Sequence, residues 1–416
     1  MNFTYRHMRT GWQSYPRESY MFVTASLVNS VGSSLMWPLI TIYVHNVLGR
    51  SYGEAGFVLF CQSFAAILGQ FIGGSLFHKL GPKRLIVGSL LLTGGAQISL
   101  VFAKAWVPYI IAMSMVGFLN SVTMPAISAF IGFRWPKYRY RLFNLVYVSN
   151  NAGVALGTTL AGVLAAVSFN LTFWFNGLST LLFGSFFYLF LRKTAMEDIS
   201  ELPTGSVGSP RSEGSVRLLV NYRNYLFMGL GSLLITLSTS AWISGVAPFL
   251  NQQGLPLTSY SFLWTVNGVV ILVGQPLTTL LNRFVTQSLY ARLVASGSFY
   301  AVGFALMLFW HGSYIDFVVG MVITTFGEMM IAPTTPALIT QTTGRDAPFY
   351  LGAVGGLGSA GRLLGPLVFG NLFDGFGLEP ILWITSASTC GAVVFFFFHR
   401  QVRPQRYVRG SASCQS

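Results

Sequence analysis

Glu328 and Arg362 are ions placed deep inside stretches that are otherwise apolar, one between about residues 314 and 340 and the other between about 349 and 373. From Asp316, Glu328 lies ~18 Å along a helix rising 1.5 Å per residue, and from Phe349, Arg362 lies ~20 Å along. If these stretches cross a hydrocarbon layer of ~30 Å, both residues are near its middle. An ion there is expensive to bury and is a functional candidate by default. A carboxyl group taken out of water favours its protonated form, as a proton carrier must. A guanidinium keeps its charge, and so has to pair, reach water or snorkel. Glu328 and Arg362 are therefore expected to form a proton-coupling pair in which Glu328 alone carries the proton. The plainer reading is that Glu328 anchors a helix contact.

Other polar groups share these stretches. Asn29, Asn120, Asn150, Asn151, Asn267 and Gln275 are amides in apolar surroundings, where they commonly glue helices together for ~0.6–2 kcal/mol each. Asn120, Asn150, Asn151 and Asn267 are also placed to meet a substrate. Trp106, Trp174 and Trp310 sit near span ends, as interface anchors do. Trp37, Tyr147 and Trp242 fall deeper and are candidates for an aromatic pocket. Rings around one acid suit amphipathic cations. No Gly-x-x-x-x-Gly-Lys-[Ser/Thr] loop is present, and the five histidines form no ligand-spaced pair. Cys61, Cys390 and Cys414 make no C-x-x-C pair. No enzyme activity, metal or cofactor is expected.

The elements that must hold these residues follow from composition. Of 416 residues, 53% are hydrophobic and only 9% charged, against ~25% charged in soluble domains; the chain cannot coat a water-facing surface. A window of ~20 apolar residues places twelve spans, at roughly 19–46, 53–77, 84–104, 107–131, 142–168, 171–191, 224–250, 259–282, 290–310, 314–340, 349–373 and 379–399. Pro38, Pro125, Pro248, Pro276, Pro333 and Pro336 are expected kinks. With the N-terminus inside, 22 of the 25 lysines and arginines fall on one side of the membrane, which sets both termini in the cytoplasm. That distribution also removes the nucleic-acid reading of a net charge of +14; the basic runs at 134–141 and 400–409 meet anionic lipid headgroups.

Residues 192–223 are rich in Gly, Ser and Pro and read as a flexible cytoplasmic linker between two bundles, 19–191 and 224–399. A cytoplasmic segment precedes them (1–18) and a basic tail follows (400–416). Near-constant offsets align the halves: Gly69-Gln70 falls on Gly274-Gln275 at 205 residues, and Gly153-x-x-x-Gly157 on Gly361-x-x-x-Gly365 at 208. Two homologous six-helix units are the parallel-repeat plan in which substrate binds near the bilayer midplane.

Gly74-Ser-Leu-Phe-His78-Lys79-Leu-Gly81-Pro-Lys83-Arg84 resembles the loop signature of the major facilitator superfamily, G-x-x-x-D-[RK]-x-G-[RK]-[RK]. The ladder Gly153-x-x-x-Gly157-Thr158-x-x-Ala161-Gly162 is similar to the antiporter motif of that superfamily. The stretch from Arg141-Leu-Phe143 to Asn151-Ala-Gly153, and Gly327-Glu328-Met-Met-Ile-Ala-Pro333, resemble its twelve-span drug:proton antiporter branch. The resemblance implies an all-α membrane fold of two pseudo-symmetric six-helix bundles. It implies a gating loop at Gly74, His78, Lys79, Gly81, Lys83 and Arg84, and a hinge where spans five and eleven meet through Gly153, Gly157, Gly162, Gly361, Gly365, Pro366 and Gly370. Two positions depart from it. His78 replaces the loop aspartate that helps lock one arrangement of the halves, which a mostly neutral histidine cannot do in the same way. Met113 stands where the family's span-four arginine handles protons.

The function expected is proton-coupled efflux of a small amphipathic, cationic or neutral compound by a monomer in the cell membrane, with the lipid bilayer, protons and the small-molecule substrate as its partners. A lipid or glycolipid flippase, a nutrient uptake permease and a non-transporting sensor or assembly factor remain as alternatives.

Overall fold

The computed structural model describes residues 16–193 and 223–401, which form helices and short connections with no strand among them. Twelve helical segments follow one another. In the first half they are α1 (Arg17–Ser34, continued by Ile40–Asn46), α2 (Tyr52–Leu80), α3 (Pro82–Ser99), α4 (Trp106–Arg134), α5 (Arg139–Val167) and α6 (Phe169–Lys193). In the second they are α7 (Arg223–Met228, Gly229–Thr239, Trp242–Val246 and Ala247–Gln252 in succession), α8 (Leu257–Val273 and Gln275–Phe284), α9 (Leu289–Phe309), α10 (Tyr314–Thr342), α11 (Ala347–Phe376) and α12 (Glu379–Gln401). Among the described residues nine helices are long and apolar enough to span a bilayer, and the bent α8 makes ten. The other two are α1, interrupted by a 3-10 turn at Trp37–Leu39, and α3, only 18 residues long. Large apolar side chains such as Leu92, Leu182, Val273 and Phe309 are exposed, as lipid-facing surfaces must be. Most of the expected linker, and nearly all of the N-terminal segment and basic tail, lie outside the described residues.

Local chemistry sets the helix ends. Ser51 Oγ accepts from the Glu54 N–H at 3.2 Å while Glu54 Oε2 accepts from the Ser51 N–H at 2.9 Å, a reciprocal cap on α2. Ser313 and Asp316 repeat the device on α10. Gly81, at φ +78°, makes the sharp reversal from α2 to α3, and Pro82 starts the next helix where no N–H is needed. Of the prolines expected to kink, Pro38 lies in the α1 break and Pro276 just past the 56° bend of α8. Gln275 Nε2 donates to the Ile271 carbonyl at that bend, at 2.9 Å. Pro125, Pro333 and Pro336 sit inside uninterrupted helices.

Small residues let helices touch backbone to backbone. A Cβ on Gly157 would overlap the Val31 carbonyl of α1, and one on Gly361 would overlap the Leu233 carbonyl of α7. Gly153 meets Ser30 and Leu27, and Gly365 meets Ser240. The ladders therefore pack α5 on α1 and α11 on α7, the same pairing in both halves. The expected meeting of α5 with α11 is not made by these glycines: Gly153, Gly157, Gly361 and Gly365 each pack inside their own half, and Gly370 meets nothing within 4 Å. Met113 is fully buried in an apolar cluster with Tyr43, Tyr109 and Phe173, where the Tyr43 and Tyr109 rings stack at 5.2 Å. None of the cluster's residues carries a carboxylate to pair with a guanidinium, so the missing span-four arginine fits its surroundings.

Candidate functional site

Glu328 is the fifteenth of the 29 residues of α10, and Arg362 the sixteenth of the 30 of α11. Both reach a cavity of ≈ 520 Å³ at the junction of the halves. Most of its wall comes from the second half: Thr236, Thr239 and Trp242 of α7, Trp264 and Asn267 of α8, Tyr300 of α9, and residues of α10 and α11. The first half supplies Gln70 from α2 and Met124, Pro125 and Ser128 from α4. Trp242 opens a short π-helical stretch, Trp242–Val246, an irregularity common at functional sites.

A directed chain of hydrogen bonds holds the carboxyl group. Thr325 spends its proton on the Met321 carbonyl at 2.7 Å, so its oxygen can only accept from Asn267 Nδ2, at 2.9 Å. The same amide nitrogen donates to Glu328 Oε2 at 3.1 Å. Both amide hydrogens are thus spent, fixing α8 against α10 through the acid. The Tyr147 hydroxyl faces the carboxyl group from α5 and makes no aligned hydrogen bond of its own.

The expected Glu328–Arg362 ion pair is not formed. Arg362 Nη2 donates to Ser359 Oγ at 2.9 Å, one turn back on its own helix, and Gln70 Nε2 reaches the same oxygen from α2 at 2.8 Å. Equal depth on neighbouring helices did not place the two charges on facing sides. Of the expected cavity residues, Trp242 and Asn267 line the wall and Tyr147 faces Glu328; Trp37, Asn120, Asn150 and Asn151 do not line it. Trp37 is turned out at the α1 break, 67% exposed. Asn150 bonds Ser26 and Ser30 of α1, and Asn151 bonds the Tyr147 carbonyl of its own helix. Asn120 is exposed on α4. Gln70, Trp264, Tyr300 and Ser359 were not singled out as site residues. The signals were present: an amide inside an apolar span, and a serine three residues before an arginine on one helix face.

One end of the molecule is closed, the end carrying the basic connections. A ring nitrogen of His78 bonds the Arg345 carbonyl, joining the α2–α3 turn to the start of α11. Gly74 admits the Pro348 carbonyl, and Gly132 of α4 admits the Thr340 side chain of α10. Asn144 of α5 donates to Gln275 of α8 at 2.9 Å, and Asn282 donates to the Tyr140 hydroxyl at 3.0 Å. The Arg292 guanidinium lies over the Tyr140 ring at 4.2 Å. His78 therefore does bridge the halves without the family's carboxylate, through an uncharged contact to backbone. Lys79 and Arg84 are exposed beside this seam, and Lys83 lies over the Tyr188 ring at 4.9 Å.

The description "Major Facilitator Superfamily" belongs to the family model that matches residues 22–340. The chain is a member of the major facilitator superfamily. It is 35% identical to the "Uncharacterized MFS-type transporter YttB" of Bacillus subtilis (strain 168) over 369 residues, 88% of this chain and 91% of that one. It is 21% identical to the "Quinolone resistance protein NorA" of Staphylococcus aureus (strain MSSA476), over 88% of this chain and 92% of that one. Among solved structures, the superfamily transporter FucP in its outward conformation superposes with a TM-score of 0.71 at 15% identity, covering 93% of this chain and 99% of that one. The human organic anion transporter MFSD10 (TETRAN) superposes at 0.69 and 14%, covering 92% and 100%. This superfamily member is thus an all-α, multi-pass membrane transporter, built around the cavity that holds Glu328.

Proposed function

We propose that this transporter exports small amphipathic compounds across the cell membrane in exchange for protons, working as a monomer by alternating access. One observation carries the reading: a single carboxyl group stands at the centre of α10, faces the cavity between the halves, and is held by a neutral amide rather than a cation. Such a group can take up and release a proton without breaking an ion pair. The 21% identity to a quinolone resistance protein supports drug-like cargo.

By the positive-inside rule the closed, basic end is cytoplasmic, as are both termini, so the cavity faces outward here. Protonation of Glu328 from that side weakens its charge-assisted bond to Asn267 and loosens α8 from α10. Parting of the cytoplasmic seams then exposes the cavity to the interior, where proton release accompanies substrate loading.

Proteoliposomes carrying the protein should accumulate norfloxacin, a zwitterionic quinolone, when a pH gradient is imposed, and lose it when an ionophore collapses the gradient. One pH unit can sustain roughly a tenfold ratio for one-to-one exchange. Movement of a fluorescent phospholipid alone would indicate a flippase instead, and accumulation that does not depend on the gradient would exclude proton coupling.

A further inference from the structure

Arg362 is a cation on the cavity wall with no carboxylate at ion-pair distance among the described residues, and its one described side-chain bond goes to a neutral hydroxyl, Ser359 Oγ at 2.9 Å. The cavity's own carboxylate is taken by Asn267. A guanidinium carries five N–H donors in a planar fork, so most of this group's capacity is unspent. It stands halfway along a 30-residue apolar helix, where an uncompensated charge is costly. The fork matches an oxyanion of carboxylate, sulfonate or phosphate type. Trp242 and Trp264 offer aromatic surface in the same cavity. Two unpaired charges of opposite sign, with aromatic rings lining the same cavity, make a site for a molecule with an acidic group and an apolar body.

We infer that Arg362 is the anion-binding subsite of the cavity, and that the substrate is an amphipathic acid or zwitterion carrying an oxyanion rather than a simple lipophilic cation. This rests on the cavity being the substrate site of the transporter. It separates two jobs that the sequence had joined: Glu328 handles the proton, and Arg362 recognises the substrate. The location also couples recognition to the halves. Ser359 Oγ receives both Arg362 from α11 and Gln70 Nε2 from α2 across the junction. An anion that draws the guanidinium away from Ser359 acts at one of the atoms where the halves meet.

The test is equilibrium binding to the purified full-length protein, measured by calorimetry with three probes of one aromatic body: 2-naphthoate, naphthalene-2-carboxamide and 2-naphthylmethylammonium. Naphthoate should bind roughly tenfold to a hundredfold more tightly than the amide, as expected for a hydrogen bond to a charged group, with the ammonium weakest. Arg362→Gln should bring naphthoate down to the affinity of the amide. Arg362→Lys keeps the charge and should retain part of the preference, which guards against a folding defect in the first variant. Naphthoate that fails to bind, that binds no better than the amide, or that keeps its advantage in Arg362→Gln would overturn the assignment. Because binding is read without a gradient, proton-coupled export could fail while this holds, or the reverse.

Discussion

Glu328→Gln should abolish pH-gradient-driven accumulation of substrate in proteoliposomes while leaving downhill exchange measurable. Glutamine keeps the length of the side chain and an acceptor oxygen for Asn267 Nδ2, which now donates at 3.1 Å, but it cannot titrate. The Asn267 bond is then held at the strength it has with the protonated acid, and only the titration is removed. Accumulation under a one-unit gradient should fall roughly tenfold, to the level seen with no gradient. Glu328→Asp should restore part of it, since a shorter carboxyl group still titrates. If Glu328 only anchored the helices, the glutamine variant would pump normally, because the anchoring bond is retained.

Gly352→Val should move the transporter out of the state seen here. A Cβ at this glycine of α11 would overlap the Gln70 carbonyl and lie 3.3 Å from the Gly74 Cα, both backbone atoms of α2. No flexible side chain can step aside, so α2 and α11 must part. Overpacking of this kind costs about 1–3 kcal/mol, enough to shift a two-state equilibrium roughly 5- to 150-fold. Parting would also release the nearby contact of His78 with Arg345. Spin labels at Lys79→Cys and Gln341→Cys, with Cys61, Cys390 and Cys414 changed to serine, report the width of this end by pulsed electron resonance. A longer distance should become the main population in Gly352→Val. Gly95→Val, where a Cβ meets nothing within 4 Å, should leave the distribution unchanged; so would Gly352→Val if the two helices were not a closing seam.

The sequence was informative where a residue's type conflicts with its surroundings, and less so where facing depends on rotation about helix axes. Glu328 stood out as an acid in an apolar run, and the structure places it at mid-helix in a cavity. Its partner was misassigned. Depth along α10 and α11 follows from counting residues, but the direction each side chain faces depends on how the two helices are rotated, and Arg362 turns to Ser359 and Gln70. The glycine ladders were legible as close packing for the same reason that their partners were not: small residues say that something approaches, not which helix it is. Trp37 counted as deep because the apolar run continues past it, yet a proline-bearing 3-10 turn swings it out. His78 was judged by the charge it lacks, whereas the seam it joins needs only a ring nitrogen facing a carbonyl.

The central claim is that substrate and protons move in opposite directions through one cavity, and the most direct measurement follows the protons themselves. Proteoliposomes loaded with a pH-reporting dye, with no gradient imposed, should show a rise in luminal pH when external substrate is added, as protons leave in exchange for entering substrate. The rise should vanish in Glu328→Gln. Substrate entry in the wild type with no change in luminal pH would contradict proton exchange, and a fall in pH would mean that both move together.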